Sequence, residues 1–139
     1  MKKFYDDVKS IIDARTDINQ AVADFPSNIN TYVKVYPTLL FMPNKFDYNV
    51  NHVGDVIRKN FVDVPFYLFT TLNQKDAIAR LTAWDNLLIA YEAFWEAFNV
   101  ANCDKYKIIE RSKITNSYGG FSADVNLYLS QTVSITRNA

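Results

Sequence analysis

The sequence predicts an α+β fold, one sheet with helices against a face, and three observations carry that prediction. Residues 74–100 place apolar side chains at helical spacing, whereas 123–135 alternates apolar and polar. Shorter β-rich runs, broken by proline and glycine, fill much of the remainder. The predicted order is α-β-β-α-β-β. It describes a mixed or antiparallel four-stranded sheet with an N-terminal helix and one long central helix packed on it, in a single domain over 1–139.

The first helix is expected from about Lys3 to Ala14. Phe4, Val8, Ile11 and Ile12 repeat at helical spacing, with Lys2, Lys3, Asp6, Asp7 and Lys9 on the other side. A short second helical turn is expected over Asp17–Asp24, capped by Thr16 and stopped by Phe25-Pro26-Ser27-Asn28. Tyr32-Val33-Lys34-Val35-Tyr36 and Thr38–Met42 are β-rich, and the prolines around the second run suggest an edge strand or a bend. From Asn44 to Asn60 the pattern dissolves, which predicts an extended loop. Phe61–Thr70 returns to strand character, with Pro65 again suggesting an edge or a bulge.

The long helix is expected over about Gln74–Val100, with Asn73 as N-cap and an Asp76–Arg80 pair in its first turns. Leu81, Trp84, Leu88, Tyr91, Trp95 and Phe98 form its inward stripe, widened to about 140° by Ala77, Leu87 and Phe94. Tyr106–Thr115 then reads as a strand and Asn116–Gly120 as a turn. In the last run Ala123, Val125, Leu127, Leu129, Val133 and Ile135 share one face, with a bend near Gln131.

Composition bounds the function. Of 139 residues, 49% are hydrophobic and 22% charged, so a packed core is expected throughout. Ten Phe, nine Tyr and two Trp exceed what a minimal core needs, so either the core is ring-rich or some rings face a partner. Fifteen cations balance fifteen carboxylates, which argues against a primary nucleic-acid reader. No apolar run approaches the ~20 residues of a membrane span, and none follows Lys2-Lys3 as a signal peptide requires. One cysteine, Cys103, excludes an internal disulfide framework.

Catalytic chemistry is hard to find. His52 is the sole histidine and stands in neither HExxH spacing nor a nucleophile elbow. Cys103 follows the C-terminal end of the long helix, where the dipole disfavours a thiolate, and reads as a small semi-buried residue. No catalytic residue, cofactor or metal ligand is therefore assigned, and an enzyme is not expected.

One charge pattern stands out. At ~100° per residue, Asp85, Glu92 and Glu96 project within about 40° of one another, beside the apolar stripe. Lys105, Lys107, Arg111 and Lys113 follow within nine residues. A solvated acidic edge, an acid/base or metal pair, and an interface are all open readings. On the third, the acidic edge of one copy meets the basic strand of the next in a heterologous contact.

The arrangement resembles the tail terminator (tail completion) proteins of long-tailed phages. The resemblance rests on the leading helix, the Tyr36-Pro37-Thr38-Leu39-Leu40-Phe41 run and Phe66-Tyr67-Leu68-Phe69 feeding the long helix. The hairpin expected around Tyr118-Gly119-Gly120 completes it. It implies a virion subunit, assembled in the host cytoplasm, forming a ring (usually a hexamer) that ends the tail tube. Its implied partners are copies of itself, the tail tube protein and the head-side connector protein, with no sequence-specific nucleic acid and no membrane. Another neck or connector subunit is the nearest alternative. A small ligand-binding domain with a pocket near Trp84, Tyr91 and Trp95 is the alternative from a different class.

Overall fold

In the computed structural model of the chain, residues 2–28, 35–43, 47–53, 56–71, 76–122 and 125–138 are described. They form α1 (Lys2–Asp13), β1 (Gln20–Ala23), a 3-10 turn (Pro26–Asn28), β2 (Thr38–Phe41), β3 (Asp47–Val53) and β4 (Val56–Thr70). Then come α2 (Ala77–Asn102), β5 (Tyr106–Arg111), β6 (Thr115–Ser122) and β7 (Val125–Asn138). The class is α+β, with the N-terminal and long helices as expected. The sheet, however, has seven strands among the described residues, not four.

Two long antiparallel strands, β4 and β7, form the spine, and each serves two outer partners in turn. Residues 66–69 of β4 pair with β2, and 56–62 pair with β3. On β7, 127–130 pair with β6 and 133–137 pair with β5. β1 lies outside β2 in the sheet's one parallel pairing among the described residues.

The three added strands have separate physical causes. Asp17–Asp24, expected as a helical turn, contains β1. Ala21 joins the main core while Val22 joins a cluster on the opposite sheet face, the alternation a strand imposes. A helix this short is marginal alone, whereas β2 offers a ladder of backbone partners. The 44–60 stretch, expected as a loop, contains β3 and the start of β4, in register from Asp47↔Val62 to Val53↔Val56. Its sequence alternates weakly, and pairing across the ladder defines it. Asn116–Gly120, expected as a turn, lies inside β6. Gly119 does take a positive φ of 88°, but at an irregularity between Tyr118 and Ser122. Of the run expected at 32–36, residues 32–34 lie outside the described residues, and Val35 and Tyr36 are in a bend.

Neither proline marks an edge, because β2 and β4 are both interior strands. Pro65 is accommodated by a bulge between Phe61 and Val64, where Asp63 takes φ 52° and its amide donates to Ser134 Oγ at 3.0 Å. The Pro65 carbonyl accepts from the Met42 amide at 3.1 Å, so its ring nitrogen faces the same side. Having no amide to return the bond, Pro65 keeps one bond of that pair, and the loss falls at the end of the β2 ladder, whose last paired residue is Phe41.

Both helices cover one sheet face. Phe4, Val8 and Ile12 of α1 join Phe94, Trp95 and Phe98 of α2 over Phe41, Phe66, Leu68, Leu129 and Val133. The Phe4 ring is the hub, with Phe41, Phe61, Phe66, Phe98 and Tyr106 at centroid distances of 5.2–6.3 Å. Arg15 and Asp17 form a two-bonded pair (2.8 and 2.6 Å) in the α1–β1 connection, and Arg15 also reaches the Ala93 carbonyl of α2 at 3.5 Å. The opposite face buries Val22, Leu40 and Phe69, flanked by Tyr36, Met42, Tyr67 and Tyr128. The surplus of rings has therefore gone mostly into a ring-rich core, leaving Phe25 and Tyr118 as the exposed examples among the described residues.

Candidate functional site: the outward face of the long helix

α2 begins later than expected. Asp76 is its N-cap, with Oδ1 accepting from the Ile78 amide at 3.0 Å, so this carboxylate caps the helix from outside its first turn. Asn73, the expected cap, lies outside the described residues. Arg80 stands 4.9 Å over the Tyr118 ring, holding the start of the helix against β6.

The helix buries Leu87, Ala90, Tyr91, Phe94, Trp95, Phe98 and Asn102. This differs from the expected stripe. Tyr91, Trp95, Phe98, Leu87 and Phe94 are inward, Trp84 is partly buried, and Leu81 and Leu88 are exposed. At ~100° per residue the buried face is rotated away from the expected one by roughly 40°. The first half of the helix consequently presents Ile78 (70% exposed), Leu81 (59%), Leu88 and Ile89 (68%) to the outside, and Val100 is exposed near the other end.

That rotation relocates the carboxylates. Asp85, Glu92 and Glu96 are all exposed; Asp85 and Glu96 project away from the buried face among the outward aliphatics, while Glu92 stays at its flank, within reach of β5. Glu92 has a partner within the chain: the Arg111 guanidinium from β5 grips it with two hydrogen bonds, one of them 3.1 Å and the other shorter. Arg111 also lies 5.5 Å over Tyr91 and 5.7 Å over Trp95 and donates through Nε to Gln131 Oε1 at 3.0 Å.

Gln131 completes a network the sequence did not suggest. Its Oε1 also accepts from the buried Tyr91 hydroxyl at 2.7 Å, and its Nε2 donates to the Ser112 carbonyl at 2.6 Å. It stands where the outer partner of β7 changes from β5 to β6, at the position expected as a bend. Ser112 and Thr132 exchange further bonds there, at 2.9 Å each. Burial holds the Tyr91 hydroxyl well above its ordinary range, so it acts as a donor. A glutamine in phase with Leu129 and Val133 on a core face was the available signal.

The remaining cations stand apart. Lys105, Lys107 and Lys113 are exposed, and none makes an ion pair among the described residues. Lys107 and the 56%-exposed Ile109 lie along the free edge of β5, beside an open groove of about 810 Å³ that reaches Asn99 and Tyr106. Cys103, at the C-cap of α2, is exposed and not semi-buried as its sequence position suggests. His52 lies in β3. Tyr91 and Trp95 are packed in the core, and Trp84 Nε1 donates to the Ser117 carbonyl at 3.3 Å.

Among the described residues, no group of three or more His, Cys, Asp or Glu side chains is placed to hold a metal ion. No helix among them is long and apolar enough to cross a membrane. Compared with known proteins, the chain matches no protein-family model and no curated protein sequence.

Proposed function

We propose that the chain is a structural subunit that acts by assembly, and in its most specific form a ring subunit ending a phage tail tube and joining it to the head-side connector. The observation that supports this reading is the outward face of α2. Four large aliphatic side chains, Ile78, Leu81, Leu88 and Ile89, stand exposed on the first half of a long helix that is packed into the core from Leu87 onward. Isolated exposed aliphatics are ordinary, but several on one face of a single helix, interleaved with carboxylates, are typical of interaction sites. Function by shape asks for no convergent acid, base and nucleophile.

Sedimentation velocity together with negative-stain imaging tests this. A discrete oligomer seen as closed rings supports the reading, whereas a chain still monomeric at ~1 mM has no self-association of useful strength and sinks it. Replacing Leu81 and Ile89 with lysine should release monomers while the far-UV signal stays unchanged.

A further inference from the structure

We infer that the outward face of α2 docks onto the free edge of β5 in a second copy, so that the contact joins two different surfaces of the chain. This rests on the assembly reading above and specifies its geometry.

The charges on the helix face select the partner. Asp85 and Glu96 share that face with Ile78, Leu81, Leu88 and Ile89, Glu92 stands at its flank, and the helix has one cation, Arg80, which is turned onto Tyr118. Packing two copies of α2 face to face would set carboxylates against carboxylates over an apolar seam, and like charges at a desolvating contact are costly. The complementary surface must therefore bring both cations and exposed apolar area.

Among the described residues the β5 edge supplies both. Lys105 and Lys107 form no ion pair with a described residue, and Ile109 is exposed beside the groove. Residues 104–113 contain four cations (Lys105, Lys107, Arg111, Lys113) and two carboxylates (Asp104, Glu110); Arg111 is already paired with Glu92, so Lys105, Lys107 and Lys113 are the cations of this segment left to meet a neighbour. Of the cations on α1 and the turn after it, Lys2 is engaged with Asp6, Lys9 with Asp13 and Arg15 with Asp17, whereas Lys3 is exposed but has no large exposed hydrophobic side chain on its helix to accompany it. Among the described strands β5 pairs with β7 alone, which leaves its outer side open to a neighbour. A contact between unlike surfaces repeats from copy to copy, closing into a ring or running on as a filament.

Charge exchange tests the geometry. Asp85→Lys with Glu96→Lys reverses one surface, and Lys105→Glu with Lys107→Glu reverses the other. All four positions are exposed, so each variant should retain the wild-type melting profile at dilutions where both are monomeric. Either reversal alone should weaken assembly about tenfold or more in sedimentation velocity, from attraction exchanged for repulsion at two pairs. The chain carrying all four changes should return to within about threefold of wild type, and an equimolar mixture of the two reversed variants should co-assemble. Should any reversed chain fail to fold, the neutral variants Asp85→Asn with Glu96→Gln and Lys105→Gln with Lys107→Gln replace it, each expected to weaken assembly by a smaller factor. A wild-type oligomer whose fourfold variant is not rescued, or whose neutral variants both assemble like wild type, overturns the inference and leaves the assembly reading standing. A wild-type chain monomeric at ~1 mM removes both.

Discussion

The Gln131 network permits a prediction that separates a coupled polar cluster from a set of independent bonds. The perturbation is Gln131→Leu, alone and combined with Tyr91→Phe. In Gln131→Leu three groups lose a partner: the Tyr91 hydroxyl, Arg111 Nε and the Ser112 carbonyl. Ser112 is exposed and Arg111 keeps Glu92, so water and that ion pair absorb most of their loss. Tyr91 is 1% exposed and has no such recourse, so stranding its hydroxyl should cost about 1–3 kcal/mol. Tyr91→Phe alone removes one neutral bond, about 0.5–1.5 kcal/mol, because Arg111 Nε still serves the Gln131 oxygen. The double variant has no stranded hydroxyl and should be less destabilised than the two singles summed, by about 1 kcal/mol. Urea unfolding of the four proteins, with stability extrapolated to water, measures the cycle. Costs that add to within ~0.3–0.5 kcal/mol would refute the coupling.

Three more outcomes follow from the packing and the charges. Phe4→Ala removes the ring on which five others converge and should lose about 3–5 kcal/mol, measured by the same urea titration. Asp76→Ala removes the α2 cap and should cost ~1 kcal/mol, with hydrogen exchange accelerated in the first turn and unchanged at Phe94–Phe98. Burial raises the hydroxyl pKa values of Tyr91 and Tyr106 above the ordinary 10.0, so the folded state holds these protons more tightly than the unfolded one. Their contribution is complete below about pH 10 and declines above it, and melting temperatures followed from pH 8 to 11.5 should drop less in Tyr91→Phe than in wild type.

How far the fold could be read from the sequence depended on whether local pattern or distant pairing decides an element. α1 lies within a residue of its expected ends because Phe4, Val8 and Ile12 repeat on one face and charge fills the other. The alternation of β7 likewise survives in its buried Leu127, Leu129, Val133 and Ile135. β1 and β3 were illegible because neither has a period of its own; β2 and β4 supply what makes them strands. On α2 the ambiguity was rotational: with Leu87 and Phe94 on one side and Ile78, Leu81, Leu88 and Ile89 on the other, periodicity does not say which side faces the sheet. The acidic and basic runs of the candidate site were plain. That Arg111 would turn inward to Glu92 across a 19-residue separation was not, since helix–sheet contact creates that proximity.

The spine formed by β4 and β7 bears on how the chain reaches this state. Residues 58–70 pair with 127–138, and between them lie the long helix and two more strands. The β3–β4 hairpin can close locally, within microseconds, but one side of β4 must wait for partners 57 (Thr70↔Leu127) to 80 (Arg58↔Asn138) residues away. Such high contact order slows folding, and until β7 arrives the side of β4 destined for it is an open template for strand exchange. Condensation of α1 and α2 through the Phe4 cluster would shorten that search by holding the intervening chain over the sheet. The side chains at the centre of the core thus set the rate at which the central ladder is found as well as its final stability.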